Sequence, residues 1–383
     1  MNRPTNVILL VYDSVRADSI GPEQTPTLWK LASQGIQFEQ TFASAPWTAP
    51  ATNALLTGIY PHRIEGAFTW GEAFAPGKTT LFHRFAEANY RTGAFVFDPD
   101  FLFRQLPEAG TPERADDPPA MLDWIRRNHK QPFFLYLHSW STHVPYGLSP
   151  ESIRGREREL HQKAVHEVSE SEIRPLLSLL EHLDILENTL LLFTSDHGED
   201  WSVLESPRSQ HWKAFDLHGR TLSQEVLQVP LILFSRGIDQ KGQVHRARVR
   251  AVDIAPDILH RVNLPPLPEA DGVPIFTEDP IDRPALACTN ATPDSPETWP
   301  QHPTLWTLFE NRFQLLVDTI NGRQLLFDRS STTPVLEDVS LAFPLRVQEM
   351  YEQIRKEQGR SVLSGPPVTS DQIAQRLKHL GYL

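Results

Sequence analysis

The N-terminal stretch "NVILLVYD" is a continuous apolar run closed by an acid, the pattern of a strand buried on both faces of a parallel sheet. The same kind of run recurs in "TGAFVFDPD", "PFFLYLHSW", "NTLLLFTSDHGED" and "VPLILFSRG", and each of these ends in polar or ionisable residues. Between the runs lie segments with apolar residues at helical spacing: "TPTLWKLASQG" with a closing Gly, "TLFHRFAEANY", "PAMLDWIRRNH" and "SEIRPLLSLLEHLDIL". Alternation of strand and helix predicts an α/β fold, a mostly parallel sheet covered by helices on both faces. Ligands of such sheets bind beyond the carboxyl ends of the strands. That rule gathers Asp13, His138, His143, Asp196 and His197 at one edge, although they are far apart in the chain.

Towards the C-terminus the pattern changes. The segment 279–303, "DPIDRPALACTNATPDSPETWPQHP", is dense in proline. Beyond it, "FQLLVDTINGRQLLFD" reads as two strands turning at Asn321-Gly322, and "PLRVQEMYEQIRKEQG" as an amphipathic helix. Two units are therefore expected, a larger α/β unit over 1–289 and a smaller α+β subdomain over 290–383 packed on it. The stretches 104–119 and 200–212, rich in proline and charge, read as loops.

Composition narrows the partners. A net charge of -12 on 383 residues disfavours a general binder of nucleic acid or anionic membrane, leaving room for a local anion pocket. The lone cysteine, Cys288, rules out an intrachain disulfide framework and a cysteine-based zinc cluster, as suits a reducing compartment. The first apolar run, "VILLVY", is too short for a signal-peptide core and no stretch approaches a membrane span, so a cytoplasmic location is expected.

Carboxylate and imidazole together suit a divalent cation such as Zn, Mn or Fe better than an all-oxygen Ca or Mg cage. Asp13 could equally cap a following helix, but adjacent Asp196 and His197 before Gly-Glu seldom serve packing. His143 in "STHVPY" and His218 in "LHG" add imidazoles beside turn residues; His138, closer to the strand, is a weaker candidate. Thr48, in "APWTAPATNALLTG", has two readings. It can be the N-cap of a helix starting near Pro50, or a hydroxyl that a metal and a helix N-terminus activate for attack on phosphorus or sulfur. Trp47, Trp70 and Trp201 could line an aromatic pocket or simply pack, and Arg63 and Arg220 could contact an anion or lie in solvent.

The order of these blocks, from "NVILLVYDSVRADSIG" through "TPTLWKLASQGIQFEQTFASAPWTAPATNALLTGIYPHR" and "LENTLLLFTSDHGED" to "VDIAPDILHRVNLPPLPEADGVPI", resembles the sulfatase-like branch of the alkaline phosphatase superfamily over nearly the whole length. The resemblance implies an alkaline-phosphatase-like sheet sandwiched by helices, and Asp13, Asp196, His197 and Thr48 around a metal. Sulfatases make their nucleophile, formylglycine, from Cys or Ser in a Cys/Ser-x-Pro-Ser-Arg motif; here the register with "LLTG" gives Thr48-Ala-Pro-Ala-Thr52. Threonine cannot yield formylglycine, because its carbinol oxidises to a ketone. Ser44 also precedes x-Pro but is out of register, and Ser14 stands where many sulfatases place another metal-binding Asp. One acid, a Thr and then Asp-His is similar to the metal sites of phosphoethanolamine and phosphoglycerol transferases. By that likeness His143 and His218 would hold a second ion or the substrate phosphate.

The expectation is thus a metal-dependent hydrolase of a small phosphodiester or phosphonate monoester, working through a Thr48 covalent intermediate with one or two divalent ions, Mn or Zn ahead of Ca. Hydrolysis of a sulfate ester without formylglycine, phosphoryl transfer or mutation, and a non-catalytic binding relative are the alternatives.

Overall fold

A computed structural model describes residues 6–69, 75, 77–97, 118–146, 148, 150–153, 155–201, 217–235, 242–276, 282–290, 300–330 and 337–362. Most of the two proline-rich loops, Trp70 and much of the 279–303 segment lie outside the described residues.

The large sheet is built from β1 (Asn6–Tyr12), β2 (Ile36–Phe42), β3 (Arg91–Val96), β4 (Phe133–Ser139), β5 (Thr189–Thr194), β6 (Gln228–Phe234), β7 (Gln243–His245) and β8 (Val249–Arg250). Their order is β3-β4-β1-β5-β6-β2-β7, with β8 also on β2. The β3-β4-β1-β5 half is parallel, as the apolar runs predict. β6 is antiparallel to both β5 and β2, so the "VPLILF" run lies in the sheet with the opposite sense. Period alone reports burial and is blind to strand direction.

Alternate residues of the central strands enter two separate cores. Val7, Leu9 and Val11 face the helices Thr48–Thr57, Leu81–Glu87 and Ala251–Val262; Ile8, Leu10 and Tyr12 face Pro26–Gln34, Pro118–Asn128 and Arg174–His182. Helices on both faces leave no polar side to β1, which is why it shows no alternation.

A second, antiparallel sheet has the order β12-β11-β10-β9, made of β9 (Ala285–Thr289), β10 (Leu305–Glu310), β11 (Phe313–Asp318) and β12 (Arg323–Asp328). The β11–β12 hairpin turns through Asn321 and Gly322, with Gly322 at φ 65°, a conformation glycine adopts at little cost. The second sheet begins at Ala285, and Trp306, Leu308, Leu315 and Val317 share the core of the first face of the large sheet. The helix Pro344–Gln358 follows the hairpin, buries Met350 and Ile354 in that core, and covers β10 and β11. Cys288 is buried in β9, where burial pushes its thiol well above the ordinary range. No helix among the described residues is long and apolar enough to cross a membrane.

Candidate active site

Register brings the site together. Val11 of β1 lies opposite His138 of β4 on one side and Thr194 of β5 on the other, so the ends of the three strands are level. Asp13 and Asp196, each two residues beyond that row, therefore emerge at the same carboxyl edge. The ligand atoms of Asp13, Asp196 and His197 lie within 4.8 Å of one another, all buried.

Thr48 is the first residue of its helix and is not its cap. The N-cap is Trp47, in extended conformation with no side-chain capping bond. The Thr48 hydroxyl instead donates to Asp13 Oδ2 at 3.1 Å, at a position only 6% exposed. The capping reading thus fails because a carboxylate from β1 outcompetes the local backbone. The same oxygen of Asp13 accepts Trp140 Nε1 at 2.7 Å, and its Oδ1 accepts Ser14 Oγ at 2.8 Å. Burial pushes the Asp13 carboxyl up, but the imidazoles of His143, His197 and His138 outweigh it and hold the group well below the usual carboxylate range.

Ser14, the residue in place of a further Asp, contributes more than a vacated ligand position. It sits at φ 66°, an uncommon backbone state for a non-glycine residue. There its N–H donates to Asp196 Oδ1 at 3.3 Å while its hydroxyl reaches Asp13, and its carbonyl accepts His161 Nε2 at 2.9 Å. Ser195 Oγ anchors the same turn, donating to the Tyr12 carbonyl and accepting Val15 N–H. Gly198 is required next to His197: a Cβ there would lie 2.5 Å from the Glu225 carbonyl oxygen.

The His197 Nδ1–H donates to the Gly198 carbonyl at 3.0 Å, which leaves Nε2 as the lone-pair nitrogen. That atom, Asp196 Oδ2 and His138 Nε2 are all buried and make no hydrogen bond in the protein. His138 Nε2 is 3.4 Å from Asp196 Oδ2 and 3.8 Å from Asp13 Oδ2; His197 Nε2 is 3.6 Å and 3.5 Å from Asp196 Oδ2 and Asp13 Oδ1. Burial disfavours a charge on His138, but the carboxylates of Asp13 and Asp196 outweigh it and push its imidazole up to about 9, so a proton there offsets part of their charge; the remaining buried donor atoms of Asp13, Asp196 and His197 are costly unless a cation joins them. The donor set of Asp13, Asp196 and His197 fits a divalent metal.

His143 and His218 lie beside this cluster. The His143 ring stacks on Trp140 at 4.5 Å, its Nδ1–H donating to the Val144 carbonyl, and its centroid is 5.1 Å from that of His218. The His218 ring is 4.6 Å from that of His197. Burial lowers the pKa of both, so the two imidazoles are neutral near pH 7. Glu199, not singled out by the sequence pattern, is fully buried, with Oε1 4.0 Å from His218 Nδ1 and Oε2 accepting Trp201 Nε1 at 3.3 Å. Burial pushes its carboxyl up to about 8. The only sequence signal for it is its place directly after Asp-His-Gly.

The remaining candidates divide. Trp47 is packed in the core, and Trp201 lies under the Arg16 guanidinium at 4.3 Å with its indole on Glu199. Arg63 pairs with Asp271, which also accepts Arg360 at 2.9 Å, so it ties the turn after the Thr48 helix to the C-terminal helix instead of facing an anion. Arg220 is half-buried two residues from His218.

Comparison with known proteins gives the family. The sequence pattern of the sulfatase family matches residues 5–98 and 119–264, more than half of the chain, including Asp13, Thr48, Asp196 and His197. The chain belongs to the sulfatase family. Within it, this sulfatase relative is 28% identical over 296 residues to the low-salt glycan biosynthesis sulfotransferase Agl7 of Haloferax volcanii, matching 72% of this chain and 65% of that protein. It is 26% identical over 337 residues to the N-acetylgalactosamine-6-sulfatase of Rattus norvegicus, matching 69% of this chain and 63% of that one. The chain thus spans slightly less than two thirds of the length of these curated relatives. Its fold also superposes on a phosphonate monoester hydrolase from Silicibacter pomeroyi with a TM-score of 0.71 at 16% identity, over 93% of this chain and 96% of that one.

Proposed function

We propose that this member of the sulfatase family is a metal-dependent hydrolase of a small phosphodiester or phosphonate monoester, with Thr48 as nucleophile. The observation that carries the reading is the Thr48 hydroxyl directed onto Asp13, at a helix N-terminus, beside the Asp196-His197 pair. Asp13, Asp196 and His197 would hold a divalent ion, which when bound supplies Lewis-acid stabilisation of a Thr48 alkoxide and of the charge on the substrate oxygens.

The chain's own groups account for the rest. Asp13 Oδ2 takes the hydrogen bond of the Thr48 hydroxyl and fixes its rotamer, aided by the γ-methyl. The first N–H groups of the Thr48–Thr57 helix face the anionic substrate. Attack forms the Thr48 Oγ1–P bond as the bond from phosphorus to the ester oxygen breaks in line, the Thr48 proton passing to Asp13 Oδ2, on which it already rests, and from there by way of solvent to the departing oxygen. His143 and His218 would stabilise the equatorial oxygens and the leaving oxygen through a second ion held by their neutral rings, or as donors once protonated. Water then cleaves the phosphothreonine and restores the hydroxyl.

A second reading, sulfate-ester hydrolysis or sulfuryl transfer, is favoured by the names of the two curated relatives. Chemistry disfavours it: a sulfated threonine must be opened by attack at sulfur, whereas formylglycine expels sulfate when its hemiacetal collapses, and Thr48 cannot become formylglycine. Zn- or Mn-loaded protein assayed on matched aryl phosphodiester, phosphonate monoester, phosphomonoester and sulfate substrates decides between them. A kcat/KM on the sulfate above that on the phosphodiester and phosphonate would exclude the leading reading. Added acceptor alcohols, with product analysis, separate transfer from hydrolysis.

A further inference from the structure

We propose that Trp140 is a positioning residue for Asp13: its indole N–H holds one carboxylate oxygen on Thr48 and so keeps the other for the ion. This rests on the reading of Asp13 and Thr48 above and deepens it. The two oxygens of Asp13 already have different partners. Oδ2 accepts the Thr48 hydroxyl at 3.1 Å and Trp140 Nε1 at 2.7 Å, the shorter of the two bonds. Oδ1 accepts Ser14 Oγ at 2.8 Å and is the oxygen nearer His197 Nε2, at 3.5 Å. A carboxylate oxygen offers about two lone-pair directions, so Thr48 and Trp140 fill Oδ2 while Oδ1 keeps one. Rotation of the carboxyl group would exchange its oxygens and take the acceptor away from Thr48. The indole N–H opposes that rotation, and it does so at a fully buried group, where a hydrogen bond to a charge is strong.

The indole can do this because its plane is fixed. Trp140 directly follows β4, and its ring lies between that of Phe97, at 4.1 Å and 12°, and that of His143, at 4.5 Å and 11°. A ring stacked on both faces has one direction for its single N–H. The same segment also grips the Asp13 backbone. The Ser139 carbonyl accepts the Asp13 N–H at 3.0 Å, and the Thr142 hydroxyl donates to the Asp13 carbonyl at 2.5 Å. The chain at the end of β4 therefore holds Asp13 at three points, and of these only the bond from Trp140 reaches the carboxylate. Packing by itself does not require that bond, since the stack uses the ring faces and a phenylalanine at 140 would stack as well.

The test separates the N–H from the stack. In the full-length chain, Trp140→Phe keeps a ring in place and removes the N–H, whereas Phe97→Leu loosens the stack and keeps the N–H. Zn2+ affinity by chelator competition should fall about 10- to 100-fold in Trp140→Phe, the usual loss when a group that orients a metal ligand is removed. At saturating Zn2+, kcat on an aryl phosphonate monoester should fall about tenfold or more in Trp140→Phe with KM within about twofold, and Phe97→Leu should stay within about threefold in affinity and kcat. Wild-type affinity and kcat in Trp140→Phe would overturn the proposal, as would a Phe97→Leu variant that loses as much as Trp140→Phe, since the stack and not the N–H would then matter. If Trp140→Phe does not fold, indole N–H resonances of the wild type decide. The N–H that moves in Thr48→Ala should exchange slowly with solvent and stay slow when Zn2+ is added; fast exchange on loading would show that the ion takes Oδ2 and displaces the indole. A wild type inactive on the phosphonate would refute the proposed reaction, and the Zn2+ affinities and the indole resonance would still decide on Trp140.

Discussion

Thr48→Ala separates a nucleophile from a structural hydroxyl because the structure sets two very different magnitudes. The lost bond, 3.1 Å to Asp13 Oδ2, is charge-assisted and contributes about 1.5–3 kcal/mol. Its removal does not orphan the carboxylate, since the same oxygen keeps Trp140 Nε1 at 2.7 Å, and alanine is the better helix former by about 0.5 kcal/mol. The net loss of stability should therefore be about 1–2 kcal/mol, a fall of no more than about 5 °C in Tm. Loss of a covalent nucleophile, by contrast, costs about 10⁴-fold or more in turnover, about 5.5 kcal/mol of barrier. Thr48→Ser keeps the oxygen, gives up a buried methyl and the rotamer restraint, and should stay within about tenfold of wild type. The assay is kcat/KM on an aryl phosphonate monoester with Zn2+ or Mn2+, alongside a melt and a metal count. If Thr48→Ala kept more than about 1% of wild-type kcat/KM with metal bound and Tm nearly unchanged, Thr48 would be a structural hydroxyl and the nucleophile reasoning wrong.

Other consequences are equally direct. Chelation should lower Tm by several degrees, because an ion at about 100 times its Kd stabilises the fold by about 2.7 kcal/mol; Asp196→Asn should abolish both the shift and its reversal by Zn2+ or Mn2+. His161 is buried behind Ser14, and burial lowers its pKa to about 4 despite its bond to the Ser14 carbonyl. The unfolded state then binds a proton that the native state does not, so its contribution is intact above about pH 6.5 and roughly 3 kcal/mol is lost as pH falls through 4. Urea titrations from pH 7 to 4 should show that slope, and His161→Gln should flatten it; an unchanged slope would rule out His161 as its source. Gly198→Ala should reduce stability by at least about 2 kcal/mol and weaken metal binding, since its Cβ must displace the Glu225 backbone beside His197; a wild-type urea midpoint would show that the close approach is absent in solution.

The apolar runs by themselves determined the parallel half of the large sheet, because a strand covered on both faces must be continuous in hydrophobicity, and β1, β4 and β5 are buried at every position. They also placed Asp13 and Asp196-His197 at strand ends, and Asn321-Gly322 at a hairpin. What they left open depends on neighbours that a one-dimensional pattern does not encode. β2, "IQFEQTF", gives no clean alternation because a register shift between Phe38 and Thr41 breaks the period of two. β6 reads like its parallel neighbours, since burial is the same for either direction. Thr48 reads as a cap until the fold brings a carboxylate from thirty-five positions away to its hydroxyl. Ser14 looks like a lost ligand until its turn is seen to orient both aspartates, and Glu199 is inconspicuous until burial sets it beside His218. His138 is the sharpest case. Its place on the strand is legible, but only the level register of β4, β1 and β5 puts its imidazole against two carboxylates, because contact across a sheet is decided by pairing and not by sequence distance.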